Sequence, residues 1–393
     1  MPEAGVRPLI DLAKIATEEG NLREAISLLS KAREQAPERV GVELDLIALL
    51  AWSGDGDSAI RNARKLYERF PDNTAVMEKV GHMEQAFGKI DEASKIFRRV
   101  AKSYSGSAGQ LLRISEYQEH ANDLAGAHDT LKRAHTADDK HLAVLERLIG
   151  LESRLALFDD ALLRTRLLIK QSPDKALGYR LRGDVFTKLR KFADAAAAYS
   201  KAIKRDRSGA LLVRRYIAQR AGGGKSSLRP LEEWVSKNPT DYPTRRTLAS
   251  AYLDTGKKTK AVKIYEELAA LRKNDPVVLN NLANLYFELG DARAMETADA
   301  AFKLAPKQPQ TLDTLGWLLV QKGDVERGLE LLRDAYARAS RRPKVRYHLA
   351  VALSRLGKAA EAKEHLEAIL TSERLSADLA AKTKRLLATL KDG

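Results

Sequence analysis

Laid against itself at an offset of thirty-four residues, the chain brings alanines into one column: Ala25, Ala59, Ala93, Ala127, Ala161 and Ala195. Six hits in series mark an internal repeat. A period of this length constrains the fold more than any local motif, because each copy is one supersecondary unit that buries its apolar face only by stacking on its neighbours. Two further columns run beside the first. Gly20, Gly54 and Gly88 share a position in which the next copy carries Asn122, and Gly222, Gly256, Gly290, Gly323 and Gly357 return to it later. Four residues after the alanine stand Leu29, Ala63, Phe97, Leu131, Thr165 and Tyr199, and Pro37, Pro71 and Pro173 close several copies.

Composition says what the repeating unit is made of. Ala, Leu, Lys, Arg and Glu dominate, aromatics make up 6% and the apolar fraction is 44%, which fits a well-buried helical chain and not a disordered one. The expected fold class is all-α. Each copy is then two antiparallel amphipathic helices, with small residues where backbones approach (Gly81, Gly183, Gly316 and the alanine column) and Phe97, Tyr199, Tyr252 and Tyr286 filling the spaces between.

In period and pattern the sequence resembles the tetratricopeptide repeat, W-x2-L-G-x2-Y then A-x3-F then P, over nearly its full length. The residues that carry the likeness are Gly81 with Ala93 and Phe97; Tyr179, Gly183, Phe186, Ala195, Tyr199 and Ala202; Leu248, Tyr252, Ala261 and Tyr265; and Leu312, Leu315, Gly316 and Ala335. The resemblance implies a right-handed superhelical solenoid. About eleven units are expected, starting near Val6, Val40, Thr74, Ala108, Leu142, Ala176, Ser208, Tyr242, Pro276, Pro309 and Pro343. Residues 6–207 hold the first six, 208–375 the remaining five, and 376–393 a capping helix from Ser376 to Leu390. Two irregularities are expected: the sixth unit ends early near Asp206, and the ninth loses a residue, which rotates or shortens its second helix.

One string competes with this reading. "GGGKSS", from Gly222 to Ser227, has the look of a phosphate-binding loop, yet G-x-x-x-x-G-K-[ST] requires glycine where Gln219 stands, and the preceding residues read as helix, not strand. The repeat instead makes Gly222 the left-handed turn residue of the seventh unit, with Ser226 or Ser227 as the next N-cap and Pro230 in the first helical turn. The loosened corner would be a local hinge, with Lys225 able to meet an anion.

Chemistry is sparse elsewhere. The chain has no cysteine, which removes disulfides, thiolate metal sites and cysteine nucleophiles. No G-x-S-x-G serine elbow occurs. Of the seven histidines, His128 and His135 share a helix face but stand two turns apart, about 10.5 Å by helical rise, too far for one ion. Neither a catalytic residue nor a metal or cofactor is expected. The longest apolar run, Leu46 to Trp52, is too short to span a bilayer. The amino terminus lacks the basic and apolar regions of a secretion signal, so the protein either stays in the cytoplasm or is cut from something longer. The net charge of +15 would draw anionic partners, but basic residues run along the whole chain with acidic ones interleaved, as on a solvated helical exterior.

The tetratricopeptide resemblance implies that the first helix of each unit lines a concave face and that its second, fifth, sixth, ninth and twelfth positions meet ligands. In the last four units these include Arg246, Ser250, Asn280, Asn281, Asn284, Asp313, Thr314, Trp317, Tyr347 and His348. Asparagine amides suit an extended peptide backbone and Trp317 offers a large anchor. Gln310 and Thr314 stand where a clamp for a terminal carboxylate would need basic residues, which disfavours chaperone-tail recognition. A regular pair of base-reading side chains per repeat is also absent, which disfavours nucleic acid.

Three strings are more particular: "LEEWVSKNPTD" (Leu231 to Asp241), "LNNLANLYFELGD" (Leu279 to Asp291) and "LDTLGWLLVQKGDVERGLELL" with "RYHLAVALSRLG" (Leu312 to Leu332, Arg346 to Gly357). They are similar to the carboxy-terminal repeats of tetratricopeptide lipoproteins encoded beside bacterial exopolysaccharide and exosortase (PEP-CTERM) loci. That likeness spans roughly residues 211–370. It implies a non-enzymatic periplasmic scaffold that binds a protein or peptide in polysaccharide export or envelope assembly, although the signal and lipidated cysteine of such lipoproteins are not in this sequence. A cytoplasmic adaptor or a nucleic-acid-binding helical repeat is the alternative.

Overall fold

The structure, a computed structural model, describes residues 3–104, 107–224, 226–372 and 375–390. It falls into two compact units, Met1–Asp206 and Arg207–Gly393. All regular structure among the described residues is helical.

The first unit is a run of hairpins. They pair α1 (Glu3–Glu18) with α2 (Leu22–Gln35), α3 (Val40–Trp52) with α4 (Gly56–Arg69), and α5 (Thr74–Ala86) with α6 (Ile90–Ser103). Next come α7 (Ala108–His120) with α8 (Leu124–Ala137), α9 (Leu142–Arg154) with α10 (Phe158–Gln171), and α11 (Ala176–Lys188) with α12 (Phe192–Ile203). The second unit pairs α13 (Gly209–Ala221) with α14 (Arg229–Lys237), α15 (Tyr242–Asp254) with α16 (Lys258–Leu271), and α17 (Pro276–Leu289) with α18 (Ala294–Leu304). Its last hairpins are α19 (Pro309–Lys322) with α20 (Val325–Ala339) and α21 (Pro343–Arg355) with α22 (Ala359–Leu370), over which α23 (Ala377–Thr389) packs.

The columns explain the hairpins. All six alanines of the first column are 0% exposed, as are Ala261 and Ala362 further on. A Cβ on Gly81 would sit 2.6 Å from the Phe97 ring, and one on Gly183 2.5 Å from the Tyr199 ring. The small residues are therefore the price-free way for neighbouring helices to approach, and the aromatic four residues beyond the alanine closes over them. Helices start where Asn21, Asp55, Asn73, Ser107, Asp123, Asp241, Asp275 and Ser376 accept a hydrogen bond from a first-turn N–H.

The turn column is left-handed, as the glycines suggest, and Asn122 takes the same conformation at φ 56°. Ala156 and Arg190 do so as well, at φ 61° and 58°, at a steric cost of about 1–2 kcal/mol each. The seventh hairpin departs from expectation. Its left-handed residue is Gly223, at φ 73°, and not Gly222, at φ −80°. The shift follows from the start of α13, since Ser208 is its N-cap and Gly209 its first residue, which moves the whole copy by one.

Neither Ser226 nor Ser227 caps α14. Leu228 is the N-cap, and Ser227 Oγ accepts from Arg229 N–H at 3.3 Å. Pro230 does fall in the first turn, and Lys225 lies outside the described residues. With nine residues, α14 is a turn shorter than the fourteen-residue α16. Tyr216 occupies the column that elsewhere holds Gly81, Gly183 and Gly316, and is 7% exposed. The residue missing from the ninth copy shortens α18 to eleven residues.

Candidate functional site

On the first-helix side of the second unit, the ten residues of the expected ligand strip divide into an open group and a closed one. Arg246 and Ser250 are exposed on one face of α15. With the half-buried Asn281 of α17 and with Tyr216, Ile217 and Arg220 of α13 they line a pocket of about 630 Å³. Tyr265 of α16 forms part of its wall and accepts a hydrogen bond from Asn281 Nδ2 at 3.1 Å. Burial raises the Tyr265 hydroxyl pKa above its ordinary value, so the hydroxyl stays protonated.

The other residues hold the repeats together. Asn284 Nδ2 donates to the Asn280 carbonyl and to Thr314 Oγ1, both at 2.9 Å. Asn280 is buried and its side-chain oxygen has no partner among the described residues. Asp313 Oδ1 and His348 Nδ1 share a hydrogen bond of 2.8 Å across two repeats, both side chains being buried. Trp317 stacks on the His348 ring with centroids 4.2 Å apart and planes at 13°. Tyr347, half-buried, packs against the same apolar cluster of Ala350, Leu366 and Ile369 as Leu386 and Leu387 of α23.

The strip is therefore not one continuous ligand surface. Helical spacing selects one side of each helix, but it cannot say which side chains the next repeat satisfies. Thr314, Asp313, His348 and Asn284 satisfy each other or the backbone. Arg220 was missed. It is the twelfth residue of α13 once that helix is started at Gly209, so the positional rule would have found it in the seventh copy.

The particular strings have structural work of the same kind. Trp234 Nε1 donates to Asp241 Oδ2 at 2.6 Å, Asn238 Nδ2 to the Trp234 carbonyl at 2.9 Å, and Asp241 caps α15 through Thr244 N–H at 3.1 Å. Gly209 is tight against this knot, for a Cβ there would lie 2.2 Å from Asp241 Oδ2. Tyr286 Oη donates to Glu266 at 2.7 Å.

Histidines elsewhere pack or cap. His128 Nε2 is 3.5 Å from Glu152 Oε1, and His141 Nδ1 accepts from Val144 N–H at 3.4 Å. Among the described residues no three His, Asp or Glu side chains are grouped to hold a metal ion, and no helix is long and apolar enough to cross a membrane. The basic excess is uneven. Residues 1–206 carry 34 Lys and Arg against 31 Asp and Glu, whereas 207–393 carry 34 against 22.

Similarity to known proteins comes in pieces. Residues 16–76 and 319–386 match the tetratricopeptide repeat family, and residues 174–275 match the bacterial transcriptional activator domain. The BBSome complex member BBS4 of Xenopus tropicalis is 28% identical over 127 residues, 32% of this chain and 24% of that protein. The chain thus matches about a quarter of that relative's length. Among solved structures, the APC/C hetero-tetramer Cut9–Hcn1 aligns over 98% of this chain and 91% of the other, with TM-score 0.49 and 14% identity. Yeast Tom70 aligns over 100% and 89%, with TM-score 0.44 and 14% identity. A tetratricopeptide repeat protein from Parabacteroides merdae aligns over 63% and 98%, with TM-score 0.45 and 17% identity. Near both ends, this all-helical chain carries tetratricopeptide repeats, units that generally mediate protein–protein interaction.

Proposed function

We propose that the protein is a non-enzymatic scaffold that holds an extended segment of a partner protein along the first-helix side of its second unit, in bacterial exopolysaccharide export or envelope assembly. The observation that carries the binding reading is the pocket at Arg220, Arg246 and Ser250. Its arginines have no carboxylate within 4.0 Å among the described residues, and Ile217 and Val277 on its rim are 52% and 46% exposed. An exposed cation pair beside exposed apolar side chains fits a segment with an acidic residue next to an apolar one. The export setting is supported by the three strings of residues 211–370 and their likeness to the exopolysaccharide-locus repeats.

The experiment places a photo-crosslinking amino acid at Ile217 in the native host. The expected result is a cross-link to one envelope protein that is lost on Arg220→Glu with Arg246→Glu. An unchanged yield in the double variant would overturn the pocket assignment. A cross-linked partner with no part in the envelope would overturn the setting alone.

The excess of 34 basic over 22 acidic residues in 207–393 favours a second reading, a polyanion bound along this unit. It requires affinity for single-stranded RNA that falls steeply with salt, as phosphate neutralisation dictates. Salt-independent or absent binding excludes it.

A further inference from the structure

α15 presents a second, unrelated face. Arg245, Leu248 and Tyr252 lie on roughly the opposite side of the helix from Arg246, Ser250 and Asp254, at 100° per residue. They form the floor of a groove of about 780 Å³ whose walls are the second helices α14 and α16. Val235, Leu248, Tyr252, Ile264 and Leu271 make it apolar, and Leu271 is 45% exposed.

The charges around the groove are unbalanced in one direction. Both carboxylates are already engaged: Glu232 accepts from Tyr252 Oη at 2.7 Å, and Glu267 pairs with Arg245. Two of the three cations have no carboxylate partner: Lys260 and Lys263 face the groove with none within 4.0 Å among the described residues. Arg245 is 6% exposed and its Nε is buried without a hydrogen-bond partner.

The matching groove between α4 and α6 in the first unit shows the ordinary arrangement. There Arg64 is held by Glu84, Arg99 by Asp72 and Lys95 by Glu92. Its arginines and Lys95 are neutralised from within the chain, which leaves Lys89 as its one lining cation with no carboxylate within 4.0 Å among the described residues.

We propose that the α14–α16 groove is a docking surface for an amphipathic helix of a partner protein, acidic at one end. The lining of α16 runs from Lys260 to Leu271, about 16 Å at 1.5 Å per residue, which is three helical turns. An occupant of that length presents apolar anchors at i, i+4 and i+7 to the floor, the helix-in-groove mode. Lys260 and Lys263 sit at the amino-terminal end of α16, so the carboxylates of the occupant lie at that end and the apolar residues run toward Leu271.

The test uses the full chain and a fluorescein-labelled amphipathic peptide of about four turns, with leucines at helical spacing and glutamates in one terminal turn. A second peptide carries lysines in place of the glutamates. Fluorescence anisotropy is expected to show binding of the acidic peptide only. Lys260→Glu with Lys263→Glu should weaken it by about tenfold or more, as charge reversal at a groove rim does, and Leu271→Glu by a similar factor. Lys307→Glu, at an exposed lysine of the second unit that lines neither this groove nor the pocket on the other face of α15, should leave it unchanged. Circular dichroism of each variant checks folding, and the exposed positions of Lys260, Lys263 and Leu271 make them tolerant of change. The proposal is overturned if no acidic-peptide binding is detected, if the lysine peptide binds equally, if the α16 variants bind like the wild type, or if Lys307→Glu abolishes binding. Full displacement of the peptide by dodecanoate at equal concentration would also overturn it, since the occupant would then be a small anionic amphiphile.

Discussion

The two units are built on one plan and held together by different chemistry. In residues 1–206 arginines on buried carboxylates tie the helices, between repeats in Arg64 on Glu84, Arg98 on Asp123, and Arg147 and Arg154 on Glu119, and within a repeat in Arg69 on Glu43 and Arg164 on Glu152. In residues 207–393 tyrosines share the corresponding role with arginines on more exposed carboxylates: Tyr242 on Asp275, Tyr252 on Glu232 and Tyr286 on Glu266, beside Arg293 on Glu266 and Arg333 on Glu361. A phenol needs no counter-charge. The first unit sets arginines on buried carboxylates, whereas the carboxylates that take Arg207, Arg245, Arg293 and Arg333 in the second are partly exposed, and Arg246, Lys260 and Lys263 stand on open surfaces where a partner can reach them. Charge used for cohesion is not available for recognition.

The sharpest way to break this contrast is to remove one carboxylate from the first unit. Asp123 takes Arg98 in two hydrogen bonds of 2.6 Å and caps α8 through Gly126 N–H at 2.9 Å. Asp123→Ala should cost about 2–3 kcal/mol, a charged hydrogen-bonded pair and a cap together, read as a loss of hydrogen-exchange protection in α7 and α8. A loss below about 1 kcal/mol would remove the pair from its structural role. Tyr286→Phe in the second unit should cost about 1 kcal/mol and depend less on salt than the Asp123 variant, because a phenol–carboxylate bond has no opposite charge to screen.

Alkaline pH sharpens the comparison. Burial raises the hydroxyl pKa values of Tyr242, Tyr252 and Tyr286, and the hydrogen bonds to Asp275, Glu232 and Glu266 raise them further, Tyr242 to about 12. Such groups contribute stability that is whole below the unfolded value near 10 and is lost as pH rises through the folded value. In the first unit Tyr104 is a raised counterpart. Hydrogen exchange from about pH 9 to 11, corrected for intrinsic rates, should therefore show the second unit weakening more than the first; equal loss would refute the assignment. The smallest effect concerns the turns. Ala156→Gly, at φ 61°, should raise the melting temperature through a gain of about 0.5–1 kcal/mol, whereas the same change at a right-handed helical position lowers it.

How much could be read from the chain differs by kind of residue. The hairpins follow from the columns, and so do the tight approach of Gly81 to Phe97 and the left-handed Asn122, because both depend on a residue and its near neighbours in sequence. The register of the seventh copy did not, since Ser208 reads equally as a first helical residue or as its cap. Nor was the candidate site legible as a whole. Helical spacing selects a face, but Thr314 and Asn284, thirty residues apart, meet only when two repeats are stacked.

The sequence by itself determined the repeating helical hairpin, since small residues every thirty-four positions leave amphipathic helices one economical way to bury their apolar faces. Only the tertiary structure decided which polar side chains are consumed between repeats and which remain open. Hydrogen bonds and ion pairs across stacked helices depend on distances of tenths of an ångström, and a one-dimensional pattern does not carry them.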